Sequence, residues 1–366
     1  MQNSVAPLRV VLASRGDALT PYFAAALERR VRVVATINPD LTRLQWLLIA
    51  AITFRPSRSA WSERFFKSAL GRRLRSANAR RQLARIPETS YDVVLQVHCL
   101  FDAPSERTVL YVDCTHRQAA EQWAPWNPLS GAALERWYES ERAEYRRAAH
   151  IFAFSEETAR SLVQHYGVPA AKVTTTNMGA NHYELPDLSA APAAKERLLL
   201  FIGNDFVRKG GPELLAAFAQ VRTAVPDARL VLVGTTPDVA PQDGVTVLGR
   251  IRDRAVIDDL YARAAVFVVP SHFDPLPLVL LEAMAYGLPT VSTPSCGIPE
   301  VLLDGVTGFS VPIGDADALA ARLTELLLDP ERAREMGRAG RARVEAHFGW
   351  DTIIERMMPA LQGLAR

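Results

Sequence analysis

Residues 267–293 read FVVPSHFDPLPLVLLEAMAYGLPTVST: a buried strand, a short polar loop, a helix start and a second strand. Phe267–Val269 is a brief apolar run closed by Pro270, as expected of a strand covered on both faces. Pro277 suits the first helical position, where its missing N–H is no loss. Gly287-Leu288-Pro289 then stops the helix. Two acids are out of place. Asp274 lies in the loop, and Glu282 is embedded in the apolar run 278–284, where a carboxylate is costly unless compensated. A helix start offers orphan N–H groups and a positive dipole end. With Leu278 in the first turn, Glu282 lies one turn further along the same face. Both acids can then look toward an anionic, hydroxyl-rich ligand such as a sugar nucleotide at the helix N-terminus. The spacing fits equally well a capping Asp274 and a satisfied, half-buried Glu282.

Outward from this stretch, strand and helix signals alternate along the whole chain. In the second half, Arg197–Ile202, Arg229–Val233, Val245–Leu248, Val266–Val269 and Pro289–Ser292 read as strands. Helical patterns at Gly211–Ala224, Ala255–Ala264, Leu278–Tyr286, Ala316–Leu328 and Pro330–Phe348 separate or follow them. The first half shows the same alternation from Leu8–Ala13 to Val173–Thr176. This is the pattern of an α/β chain with parallel sheets covered on both faces. A composition break at 184–197, ELPDLSAAPAAKER, reads as an interdomain linker. It divides the chain into residues 1–185 and 186–348, two domains expected to leave a cleft between them.

A length of 366 residues and 49% apolar content fit two domains with their own cores. The net charge of +2 argues against a dedicated nucleic-acid binder. Charge is unevenly spread, however: residues 55–85 carry +9, leaving −7 for the rest. Cys99, Cys114 and Cys296 form no spaced framework, which fits a reducing cytoplasm. His98-Cys99 and Cys114-x-His116 match no common zinc spacing and read as strand-end residues. The N-terminus enters a strand without a signal-peptide core, and the longest apolar run, Trp46 to Phe54, is too short to span a bilayer.

The second domain opens with FIGNDFVRKGGPELLAAF (201–218). A strand runs into a loop bearing Arg208 and Lys209, then Gly210-Gly211 and a helix. Cations beside flexible backbone and a helix start make a phosphate clamp. The position after a strand's C-terminal end favours that reading over a surface basic pair.

With these motifs assembled, the stretch PSxxD-x7-EAMAYGLPTV and the following CGIPEVLLDGVTGFSVP (296–312) resemble the donor half of glycosyltransferase family 4, the group 1 glycosyltransferases. The likeness is most specific over about 200–346. It continues more weakly over 1–185 through Tyr91-Asp92-Val93-Val94, Phe154-Ser155-Glu156 and Asn177-Met178-Gly179. The resemblance implies a GT-B fold, with two Rossmann-like, doubly wound domains facing a central cleft. Residues 349–366 are then expected to cross back onto the first domain as a helix. The implied enzyme is a retaining, metal-independent glycosyltransferase (EC 2.4, hexosyltransferase type). It would move sugar from a nucleoside-diphosphate donor, UDP- or GDP-linked, to a glycan, lipid-linked or other envelope acceptor, as in polysaccharide biosynthesis. No cofactor beyond that donor is expected.

By position, Asp274 matches the family acid near the donor sugar and Glu282 the one on the ribose. Arg208 and Lys209 match the basics that offset charge on the leaving diphosphate. Gly249-Arg250-Ile251 resembles the loop facing the base, which brings Arg250 and Ile251 into the donor site. Gly16 resembles the glycine loop near phosphate and acceptor. His116 resembles the first-domain histidine that projects toward the donor sugar. Three departures bear on donor choice. Asp274 replaces the usual Glu. Pro275-Leu276-Pro277, leading into Leu278, replaces a glycine-bearing loop and lacks N–H groups there. Asn204, after Gly203, stands where arginine is frequent. A nucleotide-sugar epimerase on the same fold and a degenerate sugar-nucleotide-binding paralogue remain as alternatives.

The basic segment has two readings. Trp46-Leu47-Leu48-Ile49, Trp61, Phe65-Phe66, Leu70 and Leu74 interleave with arginines, as in a helix on an anionic membrane surface. A solvated basic face packed on the first domain fits as well. The expected location is the cytoplasm, with peripheral attachment to the inner face of the cytoplasmic membrane through residues 46–85 under the first reading.

Overall fold

The structure, a computed structural model, describes residues 7–16, 19–98, 100–182, 184–189 and 195–365. Cys99 and Asp17 lie outside the described residues. The chain forms two compact units, one of Met1–Met178 with Trp350–Arg366 and one of Gly179–Gly349.

The first unit begins β1 (Arg9–Ala13), α1 (Thr20–Glu28), β2 (Arg32–Ile37). Three helices follow before the next strand: α2 (Arg43–Thr53), α3 (Arg58–Phe66) and α4 (Ala69–Leu83). The alternation then continues with β3 (Val93–Val97), β4 (Thr108–Val112), α5 (His116–Gln122), α6 (Gly131–Arg147), β5 (His150–Ala153), α7 (Glu156–Gln164) and β6 (Val173–Thr175). The six strands are parallel in the order β2-β1-β3-β4-β5-β6. Strands β3 and β4 are buried throughout, which is why VVLQV and TVLYV read as continuous rather than alternating runs.

The second unit runs β7 (Leu198–Ile202), α8 (Gly211–Ala224), β8 (Arg229–Val233), β9 (Val245–Gly249), α9 (Arg254–Arg263), β10 (Val266–Val269) and α10 (Leu278–Ala285). It closes with β11 (Thr290–Ser292), α11 (Ile298–Val301), β12 (Gly308–Ser310), α12 (Ala316–Leu328) and α13 (Pro330–His347). Its parallel order is β12-β11-β10-β7-β8-β9. The order reverses between β7 and β10, and such a reversal opens a crevice at the C-terminal strand ends. The short strand β12 has no counterpart in the sequence reading. It has three residues and includes a glycine at φ +154, so it carries almost no strand signal.

The last helix, α14 (Trp350–Gly363), belongs to the first unit. Trp350 meets Phe23 of α1 edge-on at 5.5 Å, and Arg29 pairs with Asp351 at 3.0 Å. Arg356 donates to the Thr176 carbonyl at 2.9 Å. The chain changes unit at Met178/Gly179, seven residues ahead of the expected 185/186 boundary. Packing explains the offset: Ala180 is buried and donates to the Phe348 carbonyl at 2.8 Å, and His182 meets the Tyr286 ring.

The arginine-rich stretch divides between surface and interior: Arg55, Arg58 and Arg64 are exposed, whereas Arg72 and Arg75 are buried. Arg72 binds Asp102 at 2.7 Å and lies over Trp137, while Arg75 lies over Phe65 and Phe66. Burial, reinforced by the charge of Arg15, pushes Arg75 down to about 10. Among the described residues, no helix is long and apolar enough to cross a membrane.

Candidate active site

The loops after β7 and β10 meet at the reversal of strand order in the second unit. Lys209 Nζ donates to Asp274 Oδ2 at 2.7 Å, and Arg208 Nη1 reaches the same oxygen at 3.4 Å. All three side chains are buried. Arg208 also donates to the Phe273 carbonyl at 2.6 Å and pairs through Nε with Asp205 at 3.3 Å. A backbone bond from His272 N to the Arg208 carbonyl, 2.8 Å, fastens the two loops together. Two buried cations on one carboxylate oxygen compensate the burial of Asp274.

Glycine makes this approach possible at two points. Gly210 has φ +74, and a Cβ there would lie 1.9 Å from the Pro270 carbonyl oxygen. A Cβ at Gly203 would lie 2.4 Å from Lys209 Cδ, so the lysine stem runs over the bare end of β7. Asn204 next to it is exposed.

Pro277 is the N-cap of α10 rather than its first helical residue. Its ψ of 112° is extended, while its carbonyl accepts the Leu280 N–H at 3.0 Å. No side chain caps this helix, so Asp274 is not a capping acid. Its backbone N–H donates instead to Ser295 Oγ at 3.3 Å. Pro275, Leu276 and Pro277 are buried, and Leu278 is partly so.

Glu282 has a separate set of partners. Arg254 Nη1 and the Tyr261 hydroxyl both donate to its Oε2, at 3.3 and 3.2 Å. Burial raises the Glu282 carboxyl above its ordinary value, opposed by the Arg254 charge and the Tyr261 bond. Tyr261 stacks on Tyr286 at 5.0 Å. Asp274 and Glu282 share no partner among these bonds. Arg254 and Tyr261 escaped the sequence reading. Their signal is faint: both lie on α9, seven residues apart on one face, with Asp253 as N-cap. Arg250 is exposed and Ile251 half-buried, directly after Gly249 at φ +63.

In the first unit, Gly16 follows β1 at φ +77 with open space around it, its N–H on Ser14 Oγ at 3.1 Å. His116 opens α5 and is buried between Trp137 and Tyr138. Its Nε2 is 3.1 Å from Asn127 Oδ1. Burial and the Lys67 charge push it down to about 4, so the imidazole is neutral near pH 7. His98 Nδ1 lies 3.4 Å from Asp113, and Cys296 Sγ accepts from Ser295 Oγ at 3.7 Å.

Residues 22–182 match the family described as Glycosyltransferase Family 4, and residues 189–343 the one described as Glycosyl transferases group 1. A glycogen synthase of Mycobacterium tuberculosis is 28% identical over 262 residues, 69% of this chain and 61% of that protein. A GDP-mannose-dependent monoacylated alpha-(1-6)-phosphatidylinositol monomannoside mannosyltransferase of Corynebacterium glutamicum is 38% identical over 176 residues. That match covers 43% of this chain and 45% of the relative. The chain thus spans between 45% and 61% of these relatives' lengths. Sucrose-phosphate synthase from Thermosynechococcus elongatus shares the fold, with a TM-score of 0.68 at 21% identity over 98% of this chain and 99% of that one. Matched in both units, with its paired cations and acid at the crevice of the second, the chain belongs to glycosyltransferase family 4 and has the GT-B fold of two Rossmann-like units.

Proposed function

We propose that the chain transfers a sugar from a nucleoside-diphosphate donor bound by the second unit to a hydroxyl of a glycan, lipid-linked or other envelope acceptor. The observation that carries this reading is the buried Arg208–Lys209–Asp274 cluster at the β7/β10 reversal. Lys209 uses one ammonium proton on Asp274 and has others to give to phosphate oxygens. As the bond from the anomeric carbon to the diphosphate breaks, negative charge grows on the departing oxygens. Fixed cations in a water-poor site stabilise that charge more than they stabilise the intact donor. The acceptor oxygen bonds to the anomeric carbon, and its proton leaves with the diphosphate. Transfer proceeds with retention and without a divalent metal.

Both hydrogen bonds to Glu282 fall on Oε2, which aims the carboxylate and leaves Oε1 to accept from ribose hydroxyls. A relative at 38% identity is GDP-mannose-dependent, which supports the GDP-linked of the two donor classes, UDP- and GDP-sugars. A thermal-shift screen across UDP-, GDP-, ADP- and dTDP-sugars tests the donor site, since stabilisation follows ligand concentration over Kd. One class should raise the melting temperature, and Lys209→Ala should abolish the rise. Product analysis with donor alone separates transfer from epimerisation: conversion of the donor without any acceptor would overturn the transfer reading. Turnover undiminished by EDTA and an α-linked product from an α-donor are the expected results for the mechanism.

A further inference from the structure

Helix α2 is apolar on both faces. Its inner face packs Ile49 and Ala50 against Phe65, with Trp61 and Phe66 completing a small cluster apart from the sheet core. Trp61 Nε1 donates to the Ala50 carbonyl at 3.1 Å, which fixes the helix on α3. The outer face carries Leu44, Leu47, Leu48 and Ile52, followed by Phe54, and these are between 50 and 80% exposed. Spacings of three and four residues put the four helical ones on one stripe. Such a stripe on a soluble surface marks an interaction site.

Its flanks are cationic. Arg43 opens the helix, and Arg55, Arg58 and Arg64 follow it, all exposed. Residues 41–85 contain a single acid, Glu63, and Lys67 holds it at 2.8 Å. Trp46, half-exposed, sits at the stripe's edge against Trp61 and Phe65. A protein partner or a second copy needs the apolar stripe alone. A bilayer with anionic headgroups uses both, taking leucines below the headgroups and arginines at phosphate level.

We propose that the outer face of α2 docks on an anionic lipid bilayer. The three-helix insertion is tied to the ligand-facing ends of the first sheet. Arg15, just after β1, pairs with Asp40, just after β2, at 2.9 Å, and its guanidinium lies over Phe66 at 5.0 Å. C-terminal strand ends are where such sheets take ligands. Resting on the proposed transfer reaction, this arrangement selects a lipid-linked acceptor, whose headgroup would reach the Arg15–Gly16 loop while its chains stay in the bilayer.

Flotation of the full chain with phosphatidylcholine vesicles, with and without phosphatidylglycerol, tests the docking without donor or turnover. The chain should float with anionic vesicles, less at high salt, and the variant Leu44→Ser/Leu47→Ser/Leu48→Ser should bind about tenfold or more weakly. No flotation with anionic vesicles overturns the inference, as does equal binding by the triple variant. A wild-type dimer that the triple variant converts to monomer, without vesicle binding, assigns the face to a second copy instead. Donor-induced thermal shift measured on the same variant should equal wild type. Loss of the donor shift in the unsubstituted chain would count against the reaction and leave the docking result standing.

Discussion

Lys209 and Asp274 are 65 residues apart in sequence and 2.7 Å apart at the meeting of two loops. Their bond joins the two sides of the crevice in the second unit. Lys209→Met should lower transfer by about a hundredfold or more, because a fixed positive charge near the leaving group is gone. It should also lower stability, since Asp274 stays buried with only the more distant Arg208. In Lys209→Met/Asp274→Asn, stability should recover while activity does not. Chemical denaturation and initial rates on all three proteins check this, and recovered activity in the double variant would refute the assignment.

Gly203→Ala separates the lysine's position from its presence. The added methyl falls on Lys209 Cδ and 3.1 Å from Phe201 Cζ, so the lysine stem must move aside; the fold should survive, with a smaller loss of melting temperature than in Lys209→Met. Nucleotide-sugar affinity should fall about tenfold or more, the worth of one charge-assisted hydrogen bond. Isothermal titration gives the answer. Unchanged affinity would place Lys209 away from the donor.

Arg254 is a positioning residue for Glu282. Arg254→Gln should raise the donor KM about tenfold with a smaller change in kcat, as expected when an orienting contact is lost rather than a group acting in the transition state. Arg254→Lys should recover part of the loss. Glu282→Ala should abolish transfer with the fold intact, by circular dichroism and melting temperature.

His116 supplies a pH test. Its folded value of about 4 lies below its ordinary 6.5, so between those values the unfolded chain binds a proton that the folded chain does not. Stability therefore falls as pH drops through that window and levels off below it, by up to about 3 kcal/mol for this group. His182, also pushed down to about 4, first by burial and then by the Arg254 charge, acts in the same direction. Urea midpoints should drop between about pH 7 and pH 4.5, and His116→Gln should flatten the drop.

Much of the fold was readable because parallel strands buried on both faces leave plain apolar runs with helical spacing between them. Helices α8 and α12 begin and end where Gly210 and Leu328 mark them. The basic loop after β7 was visible from Arg208-Lys209 beside glycines. Its partner was not, because a spacing of 65 residues holds no trace of which acid the lysine meets. Periodicity also cannot tell an arginine on solvent from one on aromatic rings, so Arg75 looked like surface charge and is core. Arg254 and Tyr261 were missed for a related reason: alone on α9 they are ordinary, and only α10 gives them a carboxylate to orient.

Helix α14 puts the end of the described chain into the unit that the start began. Its buried Trp350, Ile353, Ile354, Met357 and Leu361 are core for the first unit. On the ribosome, that unit cannot be finished until the intervening Gly179–Gly349 has been made. At ~5–20 residues per second, the delay is on the order of ten to thirty seconds. Through that time the face of α1 around Phe23 stands uncovered in the nascent chain, so the second unit can complete its fold before the first. A premature stop before Trp350 would therefore damage the half of the protein translated earliest.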